Sequence, residues 1–491
     1  MGMRWMPPYK YVRTTFFVLL TVLTLTVGGL FAYVSQSALP SGLSVSGWKP
    51  GKMSVAEFEA ALRAKAEALR ALPVRLRTSA YGLPPLQTTY GQLGLRTGEA
   101  ELLAQAAQLR SGPWWQRARL RWRLHDAALT LRVELPEEPL AAALKRAWRP
   151  LYEAQPADAR RLITADDRVA YVPEQPVPRI DTAPLRERLL AAVPPLASLG
   201  AREGAGPRPQ PLALDVPLRQ EAPKVTVEAL KAEGIERKVM QFSTTYDTSM
   251  TGRQHNIEST ATVINDLVLK PGEIFDYSKV IEQTEAKYGY KEAPVILNGK
   301  LVPGVGGGIC QVSTTLYNAV LRSGLEIVER RNHSLPVSYV PLGQDATFST
   351  GYINFRFRNN TGYGLLIRTA MAGGRLTVKL FGKTPDDITY DVDSRIVKKI
   401  EPPVKYVRNP SLKRGETLRL IDGKPGYVVE TKRYKKRNGN VIGEELISKD
   451  TYAAQPTVIA SNTGSEGGAD GEGADSSKPH IEDGIQGPKY P

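Results

Sequence analysis

The sequence predicts a multidomain α+β protein: an N-terminal transmembrane helix, then α+β and all-β domains, then a disordered tail. Three observations predict it. Phe16 to Val34 is a nearly unbroken apolar run, close to the ~20 residues that cross a bilayer as a helix. Beyond it, amphipathic helix patterns alternate with short strand-like runs, and the balance shifts toward strand after about Lys238. From Ser461 onward the chain is rich in Gly, Ser, Asp and Glu, with almost no large apolar residue. Such a segment cannot bury enough surface to offset the entropy of ordering it.

The elements follow in order. Arg4, Lys10 and Arg13 precede the apolar run and no acidic residue does. By the positive-inside rule the short N-terminus stays in the cytoplasm and the bulk of the chain is extracytoplasmic. The length of the run favours an uncleaved, single-pass signal-anchor in the cell membrane. A cleaved signal peptide is the other reading, because Ser35-Gln36-Ser37-Ala38 supplies small residues. Ser41 to Lys52 reads as a linker. Val55 to Leu72 is a helix pattern with Ser54 as N-cap. Glu99–Leu109, Pro139–Trp148 and Asp181–Val193 read as further helices, and Leu129–Glu134, Val169–Val172 and Leu212–Val216 as strands. Gly200 to Pro211 reads as a loop. Ile353–Phe357, Gly364–Thr369 and Leu376–Phe381 form a meander pattern with turn residues between them. The organisation is a stub and anchor over 1–35, a linker and helix over 36–74, an α+β domain over 75–235, a second over 236–384, an all-β domain over 385–460 and a tail over 461–491.

The net charge is 65 − 50 = +15, which suits anionic partners such as wall polymers or lipid. No zinc-finger spacing, RNP-like aromatic run or basic helix points to nucleic acid. Four His and one Cys, widely scattered, make no zinc constellation. Gly304–Gly308 lacks the Lys-Ser/Thr and the βαβ context of a phosphate loop. No cofactor or metal is expected.

The single cysteine sits in Gly306-Gly307-Gly308-Ile309-Cys310-Gln311-Val312-Ser313-Thr314, ahead of a helix pattern from Val312 to Arg322. A thiol at a helix N-terminus sees orphan backbone N–H groups and the positive end of the dipole, which favour thiolate. The glycines let a backbone or a substrate approach closely. A strand at Leu325–Arg330, then His333, a strand at Val337–Tyr339 and Asp345 follow. Cys310, His333 and Asp345 are therefore candidate catalytic residues: His333 as base, Asp345 as its orienting partner, and the N–H groups of Cys310 or Gln311 as an oxyanion hole. The structural reading of the same residues is a tight turn, a small buried hydrophobe and a hydrogen-bonding core His. Ser313, Thr314 and Thr315 read as helix-face packing rather than nucleophiles. His255 reads as a surface or capping residue in a loop entering a helix at Ser259–Leu267. Trp114, Trp115 and Trp122 near His125 could stack on sugar, but their near-helical spacing reads as core.

The stretch Gly306–Thr314, with Leu316-Tyr317-Asn318-Ala319, Gly324–Arg330, His333-Ser334, Pro336-Val337, Tyr339, Pro341, Gly343 and Asp345-Ala346-Thr347, closely resembles the VanW family. The lead-in Gly252-Arg253, Asn256-Ile257, Pro271-Gly272-Glu273, Phe275 and Gly289-Tyr290 is similar as well. Leu76 to about Glu228 resembles the peptidoglycan-binding domain that precedes VanW domains. Asp386–Val458 resembles a G5 domain, a small all-β module linked with cell-surface and N-acetylglucosamine-containing glycans. Gly308-Ile309-Cys310 and Leu321-Arg322-Ser323-Gly324-Leu325 are also similar to the Cys helix of transglutaminase-like enzymes. These resemblances imply a membrane-anchored protein that binds or organises the cell wall through peptidoglycan or N-acetylglucosamine-containing glycans. The alternative is a Cys-dependent hydrolase or acyl transferase acting on peptidoglycan peptides, and the third reading is a non-catalytic adhesion scaffold.

Overall fold

The structure is a computed structural model that describes residues 9–200, 210–297, 300–462 and 481–486. An apolar helix, Tyr9–Val34, opens it and is long and apolar enough over Arg13–Val34 to cross a membrane. The chain divides into two compact units, residues 1–157 with 175–224, and residues 158–174 with 225–491.

In the first unit, Ser54 caps the helix Val55–Ala71 in a capping box with Glu57, which satisfies two orphan donors reciprocally. Its buried stripe of Phe58, Leu62, Ala66 and Leu69 shares a core with Leu76, Leu93, Leu140, Leu144, Trp148, Leu185 and Leu189. A three-stranded sheet places Pro73–Arg77 between Leu212–Asp215 and Leu86–Thr89. Ser41–Lys52 is not a linker: Leu43, Val45 and Trp48 are buried, and the Trp48 ring stacks on Phe58 at 5.5 Å. Leu129–Glu134 is not one strand. Ala128–Leu129 and Val133–Glu134 are separate short pieces paired with different partners. Trp114, Trp115 and Trp122 are exposed, with Trp122 at 81%, so the helix spacing does not make them core. The loop expected at Gly200–Pro211 falls mostly outside the described residues.

In the second unit, β1 (Arg237–Thr245), α1 (Thr251–Ile264), β2 (Leu267–Leu269), β3 (Ile274–Asp276) and α2 (Tyr277–Tyr288) lead into a hairpin of β4 (Glu292–Leu297) and β5 (Lys300–Val305). The buried helix α3 (Ile309–Arg322) follows, then β6 (Glu326–Glu329), β7 (Arg356–Arg358), β8 (Leu365–Ala372) and β9 (Arg375–Gly382). An antiparallel sheet runs β1-β9-β8-β2, and a second runs β3-β7-β6. Every residue of α3 from Ile309 to Leu321 is buried. Its amide and most of its hydroxyl side chains are tolerated because they are bonded: Gln311 donates to Thr244 and Thr245, Ser313 and Thr314 to the Ala346 carbonyl, and Asn318 to the Gln344 carbonyl, while the buried Tyr317 hydroxyl has no hydrogen-bond partner. α1 starts at Thr251, eight residues before the expected Ser259, so His255 lies within the helix and its Nε2 sits 3.1 Å from the Gly289 carbonyl.

An all-β module completes the unit. β10 (Ile388–Ile400), β13 (Gly426–Arg437) and β14 (Asn440–Tyr452) form one sheet, and β11 (Val404–Arg408), β12 (Thr417–Ile421) and β15 (Thr457–Ser461) another. The tail is not disordered over residues 481–486. β16 (Ile481–Glu482) adds antiparallel to β4, with Ile296 opposite Glu482 and Leu297 opposite Ile481. Composition missed this because the segment's backbone partners come from an existing sheet edge rather than from a core of its own.

Candidate active site

α3 begins where Gly308, with φ +106, turns the chain into the helix. A Cβ at Gly308 would lie 2.9 Å from the Arg253 side chain and 3.0 Å from that of Ile257, so the close packing of α1 against this turn requires glycine. The turn points the Cys310 side chain inward. Its sulfur accepts the Phe348 N–H at 3.0 Å and lies 3.6 Å from Thr347 Oγ1.

His333 and Asp345 meet on the same side. Asp345 Oδ2 lies 2.7 Å from His333 Nδ1 and accepts the His333 N–H at 2.6 Å. All three candidate residues are at most 1% exposed. His333 Nε2 makes no hydrogen bond of full geometry, yet thiol and imidazole are close enough to bond and to perturb each other's protonation. A long or poorly aligned contact accounts for both, as is common in unliganded thiol sites. The structure thus brings Cys310, His333 and Asp345 together. It places His333 and Asp345 on one irregular stretch, however, and no strand forms at Val337–Tyr339. Pro336 and Pro341 flank that segment and cannot donate to a ladder.

Burial pushes Asp345 up, but the His333 hydrogen bond, Arg330 and Tyr452 outweigh it and hold the carboxyl at about 2. Burial pulls His333 down, but the Asp345 bond and the neighbouring thiol carry it well above its ordinary range. The Cys310 thiol is pushed up, first by burial and then by the charge of Asp483, against the pull of His333. The helix-terminus advantage expected for the thiolate is therefore outweighed in this state.

Asp483 was not legible as a site residue. Its Oδ1 accepts the Cys310 N–H at 2.8 Å and the Gly308 N–H at 3.1 Å, and its Oδ2 pairs with Arg253 at 3.1 Å. Gln311 Oε1 braces Arg253 from behind at 3.0 Å. Tyr339 was also missed: its hydroxyl is buried without a hydrogen-bond partner and feels both Asp483 and Cys310. Beneath Asp345, Arg330 Nη1 donates to both Asp450 oxygens at 2.6 and 2.7 Å, and Nε donates to the Asp345 carbonyl. Among the described residues no His/Cys/Asp/Glu group has the arrangement of a metal site.

A family model described as VanW like protein matches residues 252–381, and one described as G5 domain matches 393–464. The first spans Arg253, Cys310, His333, Tyr339 and Asp345. The chain carries a VanW-like domain followed by a G5 domain. The chain is 43% identical over 171 residues to the uncharacterized protein YoaR of Bacillus subtilis, covering 35% of this chain and 56% of that one. It is 35% identical over 111 residues to the vancomycin B-type resistance protein VanW of Enterococcus faecalis, covering 22% and 40%. The chain thus spans about half the length of the curated relatives it matches. The G5 domain structure of an IgA1 protease matches 16% of this chain and 89% of that one at 26% identity, with a TM-score of 0.13. G5 domains are associated with cell-surface proteins.

Proposed function

We propose that this VanW-like protein is a Cys-dependent acyl transferase or hydrolase acting on peptides outside the membrane, with the stem and cross-link peptides of peptidoglycan as its substrate class. The observation that carries it is the convergence of Cys310, His333 and Asp345 at the N-terminus of a buried helix, with two backbone N–H groups aimed at one acceptor. Cys310 Sγ gives its proton to His333 Nε2 and attacks an amide carbonyl. The new C–S bond closes a tetrahedral intermediate whose oxygen the Gly308 and Cys310 N–H groups hold. His333 returns the proton to the leaving amine as the C–N bond breaks, and a thioester remains. Water or an acceptor amine then attacks, His333 takes its proton, and the sulfur leaves. Asp345 keeps the imidazole oriented and offsets its charge. The G5 domain and the basic balance of the chain hold the enzyme near wall glycans and anionic polymers.

The test is product analysis of purified wall peptides and muropeptides incubated with the protein. Amide cleavage or exchange that is lost in Cys310→Ala and falls by about 10²–10⁴ in His333→Ala supports the reading. No product with the wild-type protein, or products that persist undiminished in Cys310→Ala, overturns it.

A further inference from the structure

Residues 481–486 lie across the candidate active site and bond to it through both backbone and carboxylate groups. β16 extends the β4 edge. The Ile485 N–H donates to the Val305 carbonyl at 2.9 Å, and the Val305 N–H donates to the Gln486 carbonyl at 2.8 Å. Glu482 accepts the Ser334 N–H and hydroxyl at 2.8 and 3.0 Å, one residue from His333. The glycines of the Cys310 motif make room for this backbone. A Cβ at Gly304 would lie 2.7 Å from the Gln486 carbonyl oxygen, and one at Gly306 would lie 3.1 Å from the Ile485 nitrogen. Asp483 itself adopts φ +57, a conformation uncommon for a residue with a side chain, and in it the carboxylate reaches the amides of Gly308 and Cys310. Past Ile485 and Gln486, a groove lined by Ser278, Ile281, Glu285, Phe348 and Gly351 continues along α2.

We propose that Ile481–Gln486 is an internal competitor of the substrate: it occupies the peptide groove in extended form and seats the Asp483 carboxylate where a scissile carbonyl oxygen would be held. This rests on the thiol reading above and deepens it, since it assigns the substrate as a peptide that adds as a strand to β4. The segment silences the site in two ways. It fills the oxyanion position, and it sets a negative charge beside the sulfur, which opposes thiolate formation.

The experiment measures iodoacetamide alkylation of Cys310, the chain's one cysteine, in the full-length protein and in Asp483→Ala. The second arm adds the hexapeptide Ile-Glu-Asp-Gly-Ile-Gln, or the same peptide with Ala for Asp. The proposal expects alkylation at least about tenfold faster in Asp483→Ala, slowed again by the Asp peptide and not by the Ala peptide. Alkylation of Asp483→Ala no faster than wild type overturns it, as does equal protection by the two peptides. Failure of the thiol reading looks different: Asp483→Ala is accelerated, but adding His333→Ala leaves the pH profile of alkylation unchanged.

Discussion

Tyr452 of the G5 domain donates its hydroxyl to Asp345 Oδ1 of the VanW-like domain at 2.5 Å, and that Tyr452 hydroxyl oxygen accepts the Gly343 N–H at 2.7 Å. The orienting carboxylate of the candidate site is therefore held from a neighbouring domain. Tyr452→Phe strands the buried Gly343 N–H and removes a donor from Asp345. The expected loss is about 1–3 kcal/mol, read as a lower urea midpoint at pH 7 without a change in slope.

Asp345 also sets an acid limit. Its carboxyl falls from the ordinary 3.8 to about 2 in the fold. A lowered folded-state value contributes stability that is present above pH 3.8 and lost as pH falls through about 2. The size is about 2 kcal/mol. Urea unfolding between pH 5 and 2, at about unit steps, checks this: Asp345→Asn is less stable at neutral pH and loses less across the window than wild type.

Arg330 links the site to the G5 domain through three nitrogens that lysine cannot replace: Nη1 meets Asp450, Nε the Asp345 carbonyl and Nη2 the Gly343 carbonyl. It is 4% exposed, pairs with Asp450 through both carboxylate oxygens, and lies over the Tyr317 ring at 5.1 Å. Arg330→Lys leaves the Asp345 and Gly343 carbonyls without this donor and costs about 3 kcal/mol. In a double-mutant cycle, Arg330→Met with Asp450→Leu recovers part of the loss that each single variant shows. Strict additivity would remove the coupling from the account.

Cys310→Ala separates chemistry from folding. The sulfur is buried and accepts one N–H bond from Phe348, so its removal costs about 1–2 kcal/mol and leaves a folded protein. Turnover of a wall peptide falls by at least about 10³-fold. A variant that melts alongside wild type and still turns over the peptide would make Cys310 a core residue only.

Much of this site was legible in the sequence, and the rest was hidden for physical reasons. The triple glycine before Cys310 announced a tight turn into a helix, and His333 and Asp345 follow at a separation a short return path can close. Arg253 and Tyr452 carry no local signal, because their roles depend on partners 230 and 107 residues away. Asp483 sits between stretches whose composition argues against order. Its segment is held by an edge strand and a helix terminus, neither of which a window of tail sequence contains. The exposed Trp122 shows the opposite failure: helical spacing locates a face but does not say that another element covers it.

The decisive measurement is the far-ultraviolet thiolate absorbance of Cys310 against pH in full-length wild type and Asp483→Ala, with and without His333→Ala. With one cysteine in the chain, the signal has a single source. The expected result is a thiolate that titrates lower in Asp483→Ala than in wild type and moves back up when His333 is removed. A thiol whose titration neither Asp483→Ala nor His333→Ala moves would contradict the activated pair.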